Sequence, residues 1–371
     1  MQRVVVIGAG IVGASVAYHL SRKGVAVTVL DAGDEAPATA AGAGILTPVS
    51  TRPRSLEAYE FSFAAVQHYV GLIAELESLG HHDHGYAATG ELIVASDPGE
   101  LERLPVIADD IAELTDRHGA EGLGRVELLG RRAVHLLCPL LGDLVEAAIW
   151  LPRVARVDGR LLRERLDVAV DRGATVQRQR ARLRVDSGRV VGVTTPAGPI
   201  EADVAVIAAG AWAGSLAADV GVDLAVQPQR GQIVHAQLTG TTDMPVVTGF
   251  GTHYLLSFPD DRIVFGATRE NDSGFDPTVT VGGVAEVLRE GMHLVPALAR
   301  ARLIETRVGL RPMSRDGEPY LGAVPGVAGL FAGAGMGPQG LTIGPYAGAI
   351  LAELVTGNDV AVPGRFRIGR T

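Results

Sequence analysis

The sequence lacks the residues that several chemistries require. Cys138 is the only cysteine, so neither an intrachain disulfide nor a multi-thiolate metal centre can form. Cys138 itself reads as a buried apolar side chain. Lys23 is the only lysine, and it falls in the turn after the first predicted helix, which argues against Schiff-base chemistry. Basic residues are outnumbered, giving a net charge of −9, and a nucleic-acid partner would need a basic face. A membrane span is also missing. Residues 319–352 carry no charge, but glycines and prolines interrupt them, so they read as buried strand, loop and helix. No signal-peptide layout precedes "RVVVIGAG", and a cytoplasmic location is expected. "HHDHG" at 81–85 reads as a surface loop, because adjacent histidines seldom converge on one ion. No metal is expected.

What remains is a chain of 371 residues, 47 % apolar and 20 % charged, enough for a sizeable core in two domains or one composite. "VVVIGAGIVGASVAYHLSRKGVAVTVLD" reads as strand, glycine turn, helix, turn and strand. Residues 55–80 form an amphipathic helix closed by Gly80, and "DGRLLRERLDVAVDRGATV" a second one leading into a strand. "ARLRVDSGRVVGVTTPAGPIEA" reads as an antiparallel meander. "DVAVIAAGAWAG" and "GLFAGAG" are buried parallel-type strands. "GQIVHAQL", "HYLLSF" and "RIVFGAT" alternate as strands of a second, antiparallel sheet. "LTIGPYAGAILAELVTG" is the last helix. Parallel-type strands at the beginning, middle and end therefore bracket antiparallel ones. The expected fold is α/β: a GxGxxG dinucleotide-binding (Rossmann-like) domain from 1–80, 143–220 and 305–371, with an inserted antiparallel-sheet substrate domain from 81–142 and 221–304.

Gly8, Gly10 and Gly13 form GxGxxG directly after a strand and opening a helix. The first glycine permits the tight turn, the second lets a pyrophosphate approach the backbone, and the third lets helix and strand pack closely. The phosphates would sit on a helix N-terminus with free N–H groups. Asp31 ends the second strand, at the spacing of the carboxylate that holds a ribose hydroxyl. Aspartate there disfavours NADP, but the motif alone does not separate NAD from FAD.

Further blocks do. "ATAAGAGIL", "DVAVIAAGAW", "HYLLSF", "FGATRE", "VGLRPMSRDGEPYLG" and "GAGMGPQGLTIGP", in this order and spacing, resemble the glycine oxidase and D-amino-acid oxidase family of FAD-dependent amine oxidoreductases. The resemblance covers nearly the whole chain. It implies that Ile11 and Val12 continue the phosphate turn and that Asp31 and Ala32 meet the adenosine ribose. Ala38 and Thr39 would lie near the pyrophosphate, and Ala43, Gly44 and Ile45 beside the flavin ring. Arg182 would reach adenine through its main chain, and Gly210 would face the cofactor. Met336, Gly337, Pro338, Gln339, Gly340, Leu341 and Thr342 would form the loop and helix start under the flavin. Arg311, expected on a loop, would pair with the substrate's α-carboxylate, helped by the Tyr254 hydroxyl. The competing reading of Arg311 is an internal ion pair with Asp316; that of Tyr254 is a core aromatic.

There are departures from the pattern. Glycine oxidases carry a second arginine where this chain has Pro338, and a histidine where it has Met336. The pocket should be less polar and should accept a bulkier or N-substituted substrate over glycine. Gly309 stands where covalently flavinylated relatives have a cysteine, so FAD should be noncovalent. The oxygen-activating lysine of sarcosine oxidases has no counterpart. The implied activity is oxidation of an amino acid's amine to an imine by hydride transfer to flavin, then hydrolysis to an oxo acid. Partners are a small amino-acid substrate and oxygen or another electron acceptor, and a homo-oligomer stays open. Two alternatives remain at this point: a dehydrogenase serving a quinone or carrier, and a non-catalytic FAD-binding subunit.

Overall fold

The structure is a computed structural model that describes residues 2–52, 54–118, 123–251 and 253–370. A six-stranded sheet holds the glycine motif. Its order is Tyr320–Ala323, Leu330–Ala334, Val204–Ile207, Arg3–Ile7, Ala26–Leu30 and Thr175–Gln177. All neighbours are parallel except the first pair. The central strands are buried on both faces, which explains their continuous apolar runs.

One face is covered by the first helix, Ile11–Arg22, and the last, Gly340–Val355. These helices approach closely because small residues face each other. A Cβ on Gly344 would meet Ile11 Cγ2 at 2.9 Å, and the Ser15 hydroxyl donates to the Pro345 carbonyl at 2.7 Å. The antiparallel meander, residues 182–201, packs on the other face, as its alternation predicts.

The second sheet has eight strands, ordered Arg302–Ser314, Val226–Gln237, Arg262–Gly266, Tyr254–Phe258, Val246–Thr248, Glu91–Ala95, Ala147–Leu151 and Glu127–Gly130. Only the Val246–Thr248 and Glu91–Ala95 pair is parallel. We propose that the two domains follow the sheets. On that division residues 147–151 and 305–314 go with the second sheet, whereas the sequence reading put them in the cofactor domain.

Two local expectations are corrected. Arg311 sits within the strand Arg302–Ser314, not on a loop. The strand tolerates Pro312 because it lies at the sheet edge and Pro312 is in register with Pro228, another residue without an N–H. The helix expected after Asp158 is two pieces, Gly159–Leu166 and Val168–Asp171.

Candidate functional site

A cavity of about 450 Å³ opens between the sheets, at the carboxyl ends of the parallel strands. This is where open α/β sheets place their ligands. Gly8 turns the chain with φ +106°, and a Cβ there would lie 2.7 Å from the Ala208 carbonyl carbon. Gly10 faces the cavity, and a Cβ on it would meet only Thr39 Oγ1, at 3.3 Å. Ile11 and Val12 open the first helix at the cavity wall. Gly13 does not line the cavity; it lies against Gly8 and Ala208, so it serves close helix–strand packing.

Asp31 and Ala32 line the cavity. The Asp31 carboxylate also braces the glycine turn: Oδ2 accepts from the Ala9 N–H at 2.7 Å and Oδ1 from the Gly33 N–H at 2.8 Å. Thr39 Oγ1 accepts from the Ile11 N–H at 3.0 Å, so its own proton is free to point at an anion. Ala38, Ala43, Gly44, Ile45, Arg182 and Gly210 complete this wall.

The last helix also begins at the cavity. Met336, Gly337, Pro338, Gly340 and Leu341 line it. Gln339 and Thr342 do not. Gln339 precedes the helix, its N–H donating to the Met336 carbonyl at 3.2 Å. The Thr342 hydroxyl donates to the Ile45 carbonyl at 3.0 Å, tying the helix to the Ala43–Ile45 segment. The Tyr69 hydroxyl donates to the Leu341 carbonyl.

The second sheet supplies Tyr254 and Arg311, and the segment that follows its strand Arg262–Gly266 supplies Arg269. Arg311 Nη1 donates to Gln229 Oε1 at 3.2 Å and to the Thr268 carbonyl at 3.0 Å. Asp316 is not its partner: that carboxylate takes Arg370 Nε at 2.7 Å and Nη2 at 2.8 Å, and this pairing pulls it down to about 2. Among the described residues no carboxylate forms an ion pair with Arg311 or Arg269. The Arg269 cation is less favourable than usual, from burial first and then from the facing charges of Arg311 and Arg52. Burial raises the Tyr254 phenol, and Arg311 and Arg269 pull it partly back.

Sequence reasoning missed Arg269, although it lies within the quoted "FGATRE" block. It also missed the braces. Arg163 Nε donates to the Ala9 carbonyl at 3.0 Å, and Arg160 and Arg307 both reach the Ala40 carbonyl, each at 3.2 Å. The "HHDHG" loop is corrected in part, because His84 is buried, its Nδ1 accepting from the Tyr86 N–H at 3.1 Å. Among the described residues no group of three or more His, Cys, Asp or Glu could hold a metal ion. Cys138 is fully buried, and burial pushes its thiol up to about 11.

A family model described as FAD dependent oxidoreductase (DAO) matches residues 3–354. The chain belongs to this family. It is 40 % identical to the uncharacterized oxidoreductase YurR of Bacillus subtilis, over 97 % of this chain and 96 % of that protein. It is 30 % identical to a glycine oxidase of Pseudomonas aeruginosa, over 96 % of each. Among solved structures it superposes on iminodiacetate oxidase from Chelativorans sp. BNC1 with a TM-score of 0.94 and 42 % identity over 99 % of both chains. Glycine oxidase from Geobacillus kaustophilus gives 0.92 and 27 %, over 100 % of both.

The protein is an FAD-dependent oxidoreductase, similar along its whole length to glycine oxidase and iminodiacetate oxidase. The cavity suits FAD on its own terms. Two helix N-termini and the Gly10 backbone offer N–H groups and dipole to phosphate and to the flavin. Small residues, Ala43 and Gly44, leave room for a planar ring beside the backbone. Among the described residues no helix is long and apolar enough to cross a membrane.

Proposed function

We propose that this enzyme oxidises a secondary amine flanked by two carboxylates, of the N-carboxymethyl amino-acid class. The observation that carries this reading is the pair Arg311 and Arg269, two guanidinium groups lining one cavity with no carboxylate ion-pair partner among the described residues. Two like charges facing one cavity are relieved by two anionic groups between them. A guanidinium fork matches a carboxylate bidentately. The 42 % identity to iminodiacetate oxidase from Chelativorans sp. BNC1 supports the same class. Pro338 and Met336 leave the opposite wall apolar, so polarity is supplied from the second sheet instead.

In this reading Gly8, Gly10, Ile11, Val12 and Thr39 hold the pyrophosphate, and Asp31, Ala32 and Arg182 the adenosine. Ala43–Ile45 and the start of the last helix frame the ring. FAD binds noncovalently, since a side chain at Gly309 has no room: a Cβ there would lie 2.8 Å from Ala41 Cβ. When bound, FAD supplies a hydride acceptor. Arg311 and Tyr254 hold one carboxylate, Arg269 the other, and so aim the carbon next to nitrogen. Nitrogen is neutral when hydride leaves, and no side-chain base takes the carbon-bound proton. Water then splits the imine into an oxo acid and an amino acid. An oxygen electrode distinguishes an oxidase from a dehydrogenase serving a carrier. Comparison of iminodiacetate with glycine in steady-state turnover tests the substrate class; a preference for glycine refutes it.

A further inference from the structure

We infer that Gln229 is a positioning residue that keeps Arg311 aimed and its charge free of an internal ion pair; the inference rests on the reading of Arg311 as a carboxylate anchor. Gln229 lies directly opposite Arg311 in the ladder between Val226–Gln237 and Arg302–Ser314. It is only 7 % exposed, so its amide must find partners inside the protein. Oε1 accepts from Arg311 Nη1 at 3.2 Å, and Nε2 donates to Asn271 Oδ1 at 2.7 Å. Asn271 thereby fixes which end of the amide faces the guanidinium.

The second Nη1 proton goes to the Thr268 carbonyl at 3.0 Å. With both Nη1 protons committed, the complete fork left to Arg311 is the side formed by Nε and Nη2. Gly231, two residues along from Gln229, is the seat. A Cβ there would lie 2.5 Å from both Cζ and Nη2 of Arg311, so the guanidinium lies flat over bare backbone. Gln229 and this seat share one face of one strand.

The acceptors chosen are neutral. An amide oxygen and a backbone carbonyl can hold a guanidinium without cancelling its charge. A glutamate at 229 would have nearly the same shape and would still accept from Arg311, with Asn271 turning its amide so that Nδ2 donates where Oδ1 now accepts, but it would form an internal ion pair. Arg311 would then meet a substrate carboxylate already neutralised. The sequence position is thus one where a carboxylate fits sterically and fails electrostatically.

The test compares Gln229→Glu and Gln229→Leu as FAD-loaded enzymes, with acetate as the probe and the flavin difference spectrum as the readout. Thermal melting runs in parallel. The Glu variant should bind acetate about 30-fold more weakly at equal or higher Tm, because one unit charge beside the fork is cancelled. The Leu variant should lose only about three- to tenfold, one aiming contact's worth. A purely structural role gives the opposite order, with Glu tolerated and Leu worse; that order, or wild-type acetate affinity in the Glu variant, overturns the inference. If the Glu variant does not fold, the Leu variant decides alone. Its KM for the best carboxylate substrate should rise severalfold with kcat within about twofold, and an unchanged KM overturns the inference. Wild type and Arg311→Ala are titrated first. Equal acetate affinity in those two removes the anchor reading itself and this inference with it, a failure distinct from that of Gln229.

Discussion

Replacing Arg311 with alanine is the perturbation whose size the structure constrains best. The guanidinium has no carboxylate partner among the described residues, so its charge is left for the substrate. Two donors, Nε and Nη2, remain for the substrate. Charge-assisted hydrogen bonds contribute about 1.5–3 kcal/mol each. Two of them set an upper value near 6 kcal/mol, and the carboxylate's own desolvation on leaving water offsets part of that. Removing one member of such a pair costs roughly 2–5 kcal/mol in measured complexes. At about 1.4 kcal/mol per factor of ten, kcat/KM should fall by about two to three orders of magnitude. FAD should stay bound, because Arg311 belongs to the substrate end of the cavity. Arg311→Lys should recover only part, since an ammonium cannot reproduce the fork. The assay is steady-state turnover of the best acidic substrate, with flavin occupancy read from absorbance. Asp316→Asn is the control. Asp316 pairs with Arg370, so that variant should lose melting temperature and keep turnover. A folded Arg311→Ala protein with FAD bound and near-normal kcat/KM refutes the reasoning.

Gly10→Val should abolish FAD binding, because the added side chain enters the cavity where Gly10 leaves the backbone open; undiminished flavin in a soluble variant contradicts the assigned cradle. Acid precipitation should release all flavin to the supernatant, and flavin retained on the pellet contradicts noncovalent binding. Arg269→Ala should cost a dicarboxylate substrate about tenfold or more in kcat/KM while sparing a monocarboxylate, read by comparing iminodiacetate with N-methylglycine. His19 is held down to about 3 by burial and by the neighbouring His68 and Arg22. Because its folded value is depressed below 6.5, the unfolded chain binds the extra proton, and stability is lost as pH falls from 6.5 toward 3. Melting curves should show His19→Phe flattening that acid loss between pH 7 and pH 5; an unchanged slope assigns it elsewhere.

Much of the nucleotide half is legible because its chemistry is local. A glycine turn, the helix it opens and an aspartate one strand on are read within one continuous stretch, and the structure sets all three around the cavity. The substrate half is less legible because it is assembled across the chain. Arg269 is one arginine among many, and nothing in its neighbours signals that the segment after the strand Arg262–Gly266 will bring its charge near that of Arg311. Gln229 meets Arg311 only through ladder register, 82 residues away. Pro312 misleads, since proline argues against a strand unless the strand is known to be an edge. The helix Pro98–His118 is hidden by Pro105 inside it. His84 reads as exposed among polar neighbours, yet it is buried, with Glu77 3.3 Å from its Nε2.

The most direct measurement is anaerobic stopped-flow mixing of FAD-loaded enzyme with iminodiacetate, N-methylglycine and glycine in turn, following flavin absorbance. Cooperation of Arg311 and Arg269 in one cavity predicts bleaching by iminodiacetate with the highest ratio of rate to dissociation constant, and glycine the lowest. Bleaching by glycine alone, or equal ratios for all three compounds, contradicts it.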